Sequence, residues 1–332
     1  MMQLTRRNLF AGAAAAGAAT ALTPFAASSP ARAAVPPAGK QVPGIYRQKL
    51  GEFEITQITD GAARRPVSNG FVVNISKEQA IAETEAAYFQ KDQAVIPFNP
   101  VLINTGSKLV LIDTGVGPAL YAKSNGAVGQ LHTNMAAAGI DRNAIDIVIL
   151  SHFHGDHING LRLADGGLSF PNAEIKVPGV EWDFWMNEAN ADKVTGYNKG
   201  AWAIPKGIFA GLADKVTKYE AGKEVAPGIT SVATPGHTPG HMSFVVASGS
   251  ARALVQSDVT NIPQFFLRHP DWHVEYDIDP NQAAQTRHKF YDMASAEKTM
   301  VIGFHFPFPS AGYVEKDGTG YRLVPVAWNP TI

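Results

Sequence analysis

Cysteine is absent from the 332-residue sequence, which excludes disulfide frameworks, thiolate metal sites and cysteine nucleophiles together. Any metal must therefore rest on His, Asp or Glu. A basic excess is missing as well: 28 Lys and Arg stand against 29 Asp and Glu, for a formal net charge of -1. Nucleic acid is accordingly not expected as a partner. Long apolar runs are scarce. The one candidate, Leu9 to about Leu22, is short for a membrane span and is followed by Pro24 and Pro30, so no stable membrane anchor is expected. With 45% hydrophobic and 17% charged residues, the chain has enough apolar content to bury a sizeable core, which excludes disorder as its main state.

Residues 1–33 are a different kind of sequence. Arg6 and Arg7 precede a weakly apolar Ala/Gly-rich stretch, and Ala31-Arg32-Ala33 has the small-residue form of a cleavage site. The segment resembles a twin-arginine export signal, which implies a periplasmic or secreted protein exported already folded and carrying its metal. Its removal takes away three arginines and no acids, leaving 299 residues with a net charge of -4. Residues 34–45 are rich in Pro and Gly and read as an exposed lead-in. A single folded domain is expected over 46–332.

Within that domain, Phe53 to Thr59 alternates apolar and polar residues as a half-buried strand does, ending at Asp60-Gly61. Val101 to Asn104 and Leu109 to Asp113 form a hairpin around Thr105-Gly106-Ser107-Lys108. Gln130 to Ala138 reads as a helix stopped by Gly139, and Ile145 to Leu150 as a strand buried on both faces. A helix is expected over Val177 to Ala189, a hairpin over Ser243 to Gln256 and a long helix over Gln282 to Ala296. Thr299 to Phe304 reads as a last buried strand, and Tyr313 to Val326 as a hairpin around Asp317-Gly318. Strand pairs interleaved with helices imply an α/β fold of two sheets covered by helices.

The chemistry is concentrated in Ser151-His152-Phe153-His154-Gly155-Asp156-His157. It leaves the buried strand at Leu150, where a loop is held by the strand and still reaches solvent. Three histidines and an aspartate gathered so closely are costly to desolvate without a cation. This H-x-H-x-D-H sequence resembles the metallo-β-lactamase superfamily, and the other expected segments follow in order. They are Thr234-Pro235-Gly236-His237-Thr238-Pro239-Gly240-His241, then Gln256-Ser257-Asp258, then Gly303-Phe304-His305.

The resemblance implies an αββα sandwich of two mixed sheets. It also implies one metal on His152, His154 and His237 and a second on Asp156, His157 and His305, with Asp258 bridging them. Asp258 and His305 are thereby assigned to catalysis as well as to metal binding. Imidazole and carboxylate suit zinc first, with manganese, cobalt and iron also served. A water between two such ions titrates near neutrality and gives a hydroxide nucleophile at pH 7. Two divalent ions, two aspartates and one hydroxide leave a single positive charge, which favours a small neutral ester-like substrate gaining negative charge in its transition state.

Asp113, in Leu111-Ile112-Asp113-Thr114-Gly115, either orients a ligand histidine or is a turn aspartate after a strand; Asp60 carries the same two readings. His132, His241, His269, His273 and His288 read as surface or structural histidines, with His237 preferred over His241 as ligand. Trp182, Phe184, Trp185, Trp202, Phe209, Phe265 and Phe266 either line a substrate pocket or pack the core. Phe304, Phe306 and Phe308 are expected to keep the metal site dry.

Without cysteine the β-lactamases with a cysteine ligand are set aside, and the 27 residues after His305 do not resemble the helical glutathione-binding region of glyoxalase II. The export signal, ligand intervals and tail hairpin resemble the branch containing methyl parathion hydrolase and secreted lactonases. That resemblance implies hydrolysis of organophosphate triesters, lactones or aryl esters, with acyl-homoserine lactones an alternative and a homodimer possible by analogy. A non-hydrolytic metal-binding protein or an iron redox protein of the same fold is the alternative from another class.

Overall fold

The computed structural model describes residues 37–39 and 41–332. The export signal expected over 1–33 and part of the lead-in lie outside the described residues. From Pro43 onward the chain is one compact unit. Its strands in order are β1 Ile45–Leu50, β2 Phe53–Ile58, β3 Gly61–Pro66, β4 Gln93–Phe98, β5 Val101–Asn104, β6 Leu109–Ile112, β7 Ile147–Ile149, β8 Glu174–Pro178 and β9 Val216–Tyr219. They continue with β10 Glu224–Ala226, β11 Ile229–Ala233, β12 Met242–Ser248, β13 Ala251–Ser257, β14 Met300–Gly303, β15 Ala311–Asp317 and β16 Gly320–Pro325.

Two seven-stranded sheets result, ordered β1-β2-β5-β6-β7-β8-β9 and β10-β11-β12-β13-β14-β15-β16. Both are mixed: β6 to β9 pair in parallel in the first, and β13 pairs in parallel with β14 in the second. The continuous apolar runs explain why both faces are covered, since successive side chains point to opposite faces. Val110 and Ile112 of β6, Ile147 and Ile149 of β7, and Val255 and Ile302 of the second sheet fill the core between the sheets. Leu111 and Val148 turn outward to meet Leu131, Met135 and Trp185. Leu254 and Val301 do the same towards Phe290 and Tyr291 of the helix Pro280–Glu297. This is the αββα sandwich, and no helix among the described residues is long and apolar enough to cross a membrane.

Two features depart from the sequence expectation. The helix expected over Val177 to Ala189 is shorter, Gly179–Trp185, and Val177 and Pro178 close β8 instead. Val177 is drawn into the outer core, and Asn187 stops continuation by accepting the Ala189 N–H at 3.1 Å, a side-chain competitor for the backbone donor. The hairpin β3–β4 with the helix Lys77–Ala86 between its strands is an addition with its own core of Phe71, Ile96, Phe98, Phe265 and Phe266.

Strand direction positions the site. β2, β6 and β7 run the same way in one sheet, as do β11, β13 and β14 in the other. Every segment singled out above therefore leaves a strand at its carboxyl end. The sheets are joined there by the Met242 N–H, which donates to the Ser151 carbonyl at 3.1 Å.

Candidate metal centre

All seven residues expected as metal ligands come together. His152, His154 and His237 form one triad; Asp156, His157 and His305 form another; His152, His157 and Asp258 form a third, each with one donor atom per residue within 4.8 Å of the others. Asp258 stands between the first two. Its Oδ2 is 3.2 Å from His237 Nε2 and 3.0 Å from His305 Nε2, and its Oδ1 is 3.2 Å from His157 Nε2. Asp156, in the short helix Gly155–Ile158, places Oδ2 at 3.5 Å from His305 Nε2 and 3.7 Å from His157 Nε2.

Each imidazole has one nitrogen tied outward. Nδ1 of His157 pairs with Asp113 Oδ2 at 2.9 Å, and Nδ1 of His237 with Asp277 Oδ1 at 2.8 Å. Nδ1 of His305 pairs with the Pro97 carbonyl at 2.7 Å, Nε2 of His154 with Asn198 Oδ1 at 2.7 Å, and Nδ1 of His152 with Ser151 Oγ at 3.0 Å. Outer acceptors of this kind require the N–H there and leave the inner lone pair facing the centre. The inner nitrogens then crowd one another: His154 Nδ1 lies 3.1 Å from His152 Nε2 and 2.9 Å from His237 Nε2. His157 Nε2 and Asp258 Oδ1 are buried without a hydrogen-bond partner. Converging, outwardly pinned lone pairs beside two carboxylates fit divalent cations and nothing neutral.

The same crowding shifts the titration of the metal-free groups. Burial, then His157, holds His152 well below the ordinary imidazole range, and burial, then His237, does so for His154. Burial also pulls on His157, but Asp258, Asp113 and Asp156 hold it well above that range. For His237, hydrogen bonds to Asp258 and Asp277 outweigh burial and push it up to about 9. Asp258 is held well below the carboxylate range because His305 and His157 outweigh its burial.

Asp113 takes the ligand-orienting position of its two readings. Besides His157 it accepts the Ser151 N–H and Oγ–H, both at 2.8 Å. Asp113 and Ser257 have φ of 60° and 52°, left-handed conformations that cost a non-glycine residue about 1 kcal/mol or more. Each sits at a strand end, and Ser257 is followed directly by Asp258. Asp60 does not reach a histidine. It accepts the Leu131 N–H at 2.7 Å and the Val116 N–H at 2.8 Å, tying two loops beside the centre. Asp60→Ala strands both buried donors and should cost about 2–4 kcal/mol of stability in urea unfolding.

His241 is not among the inward-facing donors. Its Nε2 accepts the Asp258 N–H at 3.0 Å and its Nδ1 lies 3.0 Å from the Thr234 carbonyl. Burial, then His237, pushes it down to about 3, so it stays neutral and serves as an acceptor for the backbone of Asp258.

Above the cluster lies a cavity of about 260 Å³. None of the seven aromatics considered as pocket residues lines it. Trp185, Trp202, Phe209, Phe265 and Phe266 are buried in two cores, and Trp182 and Phe184 pack against one of them. The lining comes instead from the β3–β4 hairpin and later loops: Ile96, Phe98, Val116 and Leu120 are apolar, while Arg65, Tyr197, Tyr276 and Asn261 are polar. Phe304 does shield the centre, its ring 4.0 Å from that of His157, but Phe306 belongs to an outer core and Phe308 is 41% exposed. Asn198 and Asp277 were not readable as site residues, because no local spacing links them to the histidines they hold.

Solved structures share this fold. A hydrolase of the β-lactamase superfamily, AbOPH, is 27% identical with a TM-score of 0.79 over 87% of this chain and 100% of its own. The dizinc quorum-quenching lactonase AidC, solved with the product N-hexanoyl-L-homoserine, is 26% identical with a TM-score of 0.80, covering 86% of this chain and 99% of its own. An N-acyl homoserine lactonase of Bacillus thuringiensis is 24% identical over 61% of this chain and 79% of its own. YobT of Bacillus subtilis (strain 168) is 29% identical over 46% of this chain and 58% of its own, so the match spans little more than half of that relative. The family profile of the metallo-beta-lactamase superfamily matches residues 97–305, a span holding every one of the seven converging side chains, and the chain belongs to that superfamily.

Proposed function

We propose that the chain is a two-metal hydrolase of small neutral esters, acting on lactones or aryl esters with organophosphate triesters as main or side substrates. The observation that carries this reading is the convergence of five outwardly pinned imidazoles and two carboxylates beneath one cavity, which His154, Asp156, His237 and Asp258 line. His152, His154 and His237 would hold one divalent ion, Asp156, His157 and His305 the other, and Asp258 both, with zinc the first candidate. Bound there, such a pair supplies Lewis acidity and a water acidic enough to attack at pH 7.

The chain's own residues do the rest. Asp113, Asp277, Asn198 and the Pro97 carbonyl hold the N–H of each imidazole at its outer nitrogen, so that the inner nitrogen faces the centre and the ring is fixed in orientation. Phe98 and Phe304 pack against His305 and His157 and exclude bulk water from that side. Burial holds the phenols of Tyr197 and Tyr276 well above their ordinary range, so both line the cavity as neutral groups. The Tyr276 hydroxyl accepts Arg65 Nη1–H at 2.6 Å and keeps its own O–H free, so Tyr276 and Tyr197 both offer a donor to an oxygen gaining charge on the substrate. Tyr197→Phe should lower kcat/KM about a hundredfold with metal content unchanged, as loss of one such donor does.

A cavity with apolar walls and few polar groups accepts an acyl or aryl substituent, and similarity to lactonases supports the lactone arm of the reading. Kinetics of the metal-loaded protein on dihydrocoumarin, an acyl-homoserine lactone and methyl parathion decide among the substrate classes. Chelator-sensitive turnover of at least one is expected. No turnover of any by protein holding two ions would overturn the hydrolase reading and favour the non-hydrolytic one. Export to the periplasm or beyond is proposed with it, on the twin-arginine resemblance alone.

A further inference from the structure

Glu181 touches none of the seven converging side chains, yet it is 0% exposed and lies in the first turn of the helix Gly179–Trp185. Its Oε1 accepts the Phe153 N–H at 3.0 Å and the Trp185 indole N–H at 2.7 Å; its Oε2 accepts the Gly240 N–H at 2.9 Å. Phe153 lies between His152 and His154, and Gly240 is three residues after His237. One carboxylate thus joins two loops that leave different sheets and together supply the first triad.

A separate observation points the same way. A Cβ on Gly240 would stand 2.2 Å from the Glu181 backbone nitrogen, so the His237 loop is seated directly on this helix with no room for a side chain. Trp185, held by the same carboxylate oxygen, lies edge-on to His154 with ring centres 6.1 Å apart. The second triad has other supports, since Asp113 holds His157 and the Pro97 carbonyl holds His305.

We infer that Glu181 is a positioning residue for one metal position only. By bridging Phe153 and Gly240 it sets the separation of His152 and His154 from His237, and with it the affinity and ligand field of the ion held there. The Asp156, His157 and His305 position does not depend on it. The carboxylate is required because both oxygens accept. An amide of the same shape would turn its NH2 towards either the Phe153 or the Gly240 N–H, setting donor against donor and releasing one loop. The inference rests on the two-metal reading above and not on which bond is hydrolysed.

The test is a cobalt(II) titration of the metal-free full chain, followed in the visible ligand-field bands, for the native protein and Glu181→Gln. The native protein is expected to bind two ions. In Glu181→Gln one equivalent should bind as before and the other about 10–100-fold more weakly, with altered bands for that ion. Equal weakening of both ions, or binding and bands identical to the native protein, would overturn the inference. If Glu181→Gln does not fold, Trp185→Phe, which removes one donor from Oε1 and keeps the carboxylate, is read in the same way: a change confined to one ion's bands supports the inference and unchanged bands overturn it. A native protein that binds fewer than two ions removes the two-metal reading and this inference together. Two bound ions without hydrolysis overturn the hydrolase reading and leave this inference standing.

Discussion

Asp258→Ala is expected to reduce hydrolysis about a thousandfold, equivalent to ~4 kcal/mol of transition-state stabilisation, and to leave the protein with one tightly held ion. The size follows from what the carboxylate touches. Its two oxygens lie 3.0–3.2 Å from the inner nitrogens of His157, His237 and His305, so a single truncation removes the anion shared by both triads. Asp258→Asn should fare little better, because the amide keeps the volume and loses the charge that three imidazoles face. The measurement is kcat/KM together with metal content per chain. Activity within tenfold of the native protein would contradict a shared centre.

Zinc loading is expected to raise Tm by roughly 10 °C at pH 7.5. A ligand present at 1,000 times its Kd stabilises by about 4 kcal/mol, and a domain of this size gains roughly 2–4 °C per kcal/mol. The effect should depend on pH with a definite sign. The folded pKa of metal-free His237 is raised to about 9 from an ordinary 6.5. Its proton therefore stabilises the metal-free fold fully below pH 6.5, and that contribution is lost as pH rises towards 9. Zinc must displace the same proton, so its affinity grows over the same interval. Both trends widen the gap between loaded and metal-free Tm from pH 6.5 to 9. Scanning calorimetry of both forms across that range checks it; a gap that narrows with rising pH would mean that zinc does not compete for His237.

The site was more legible than the scaffold around it, for a physical reason. Metal ligands must be His, Asp or Glu, and four of them follow β7 so closely that the chain brings them together without tertiary information. His237, Asp258 and His305 were found through the resemblance, and the structure shows why their segments recur: each leaves the carboxyl end of a parallel-running strand at one edge. The strand pairs β5–β6 and β12–β13 and the helix Pro280–Glu297 were readable from apolar periodicity. β3, Gly-Ala-Ala-Arg-Arg-Pro, was not, because it has no apolar alternation and takes its pairing from β4. The Ser76 capping box with Gln79, which starts the helix Lys77–Ala86, was a local signal that could have revealed the inserted hairpin.

The partners that complete the site stayed hidden for the opposite reason. Asn198 lies 44 residues from His154, Asp277 lies 40 from His237, and Glu181 lies 28 from Phe153 and 59 from Gly240. Nothing local marks such residues; only folding brings them within reach. The pocket aromatics illustrate a related limit. Trp185 and Trp202 have the composition of a binding wall, but their place behind the ligand loops, with ring centres 5.1 Å apart and planes tilted by 32°, makes them supports for the floor and leaves the walls to Phe98, Tyr197 and Tyr276.

Anomalous diffraction from zinc-loaded crystals asks most directly whether these side chains hold a pair of ions. Two peaks about 3.5–4 Å apart are expected, one within coordination distance of His152, His154 and His237, the other of Asp156, His157 and His305, with Asp258 reaching both. A single peak, or a second one away from His305 and Asp258, would contradict the two-metal centre.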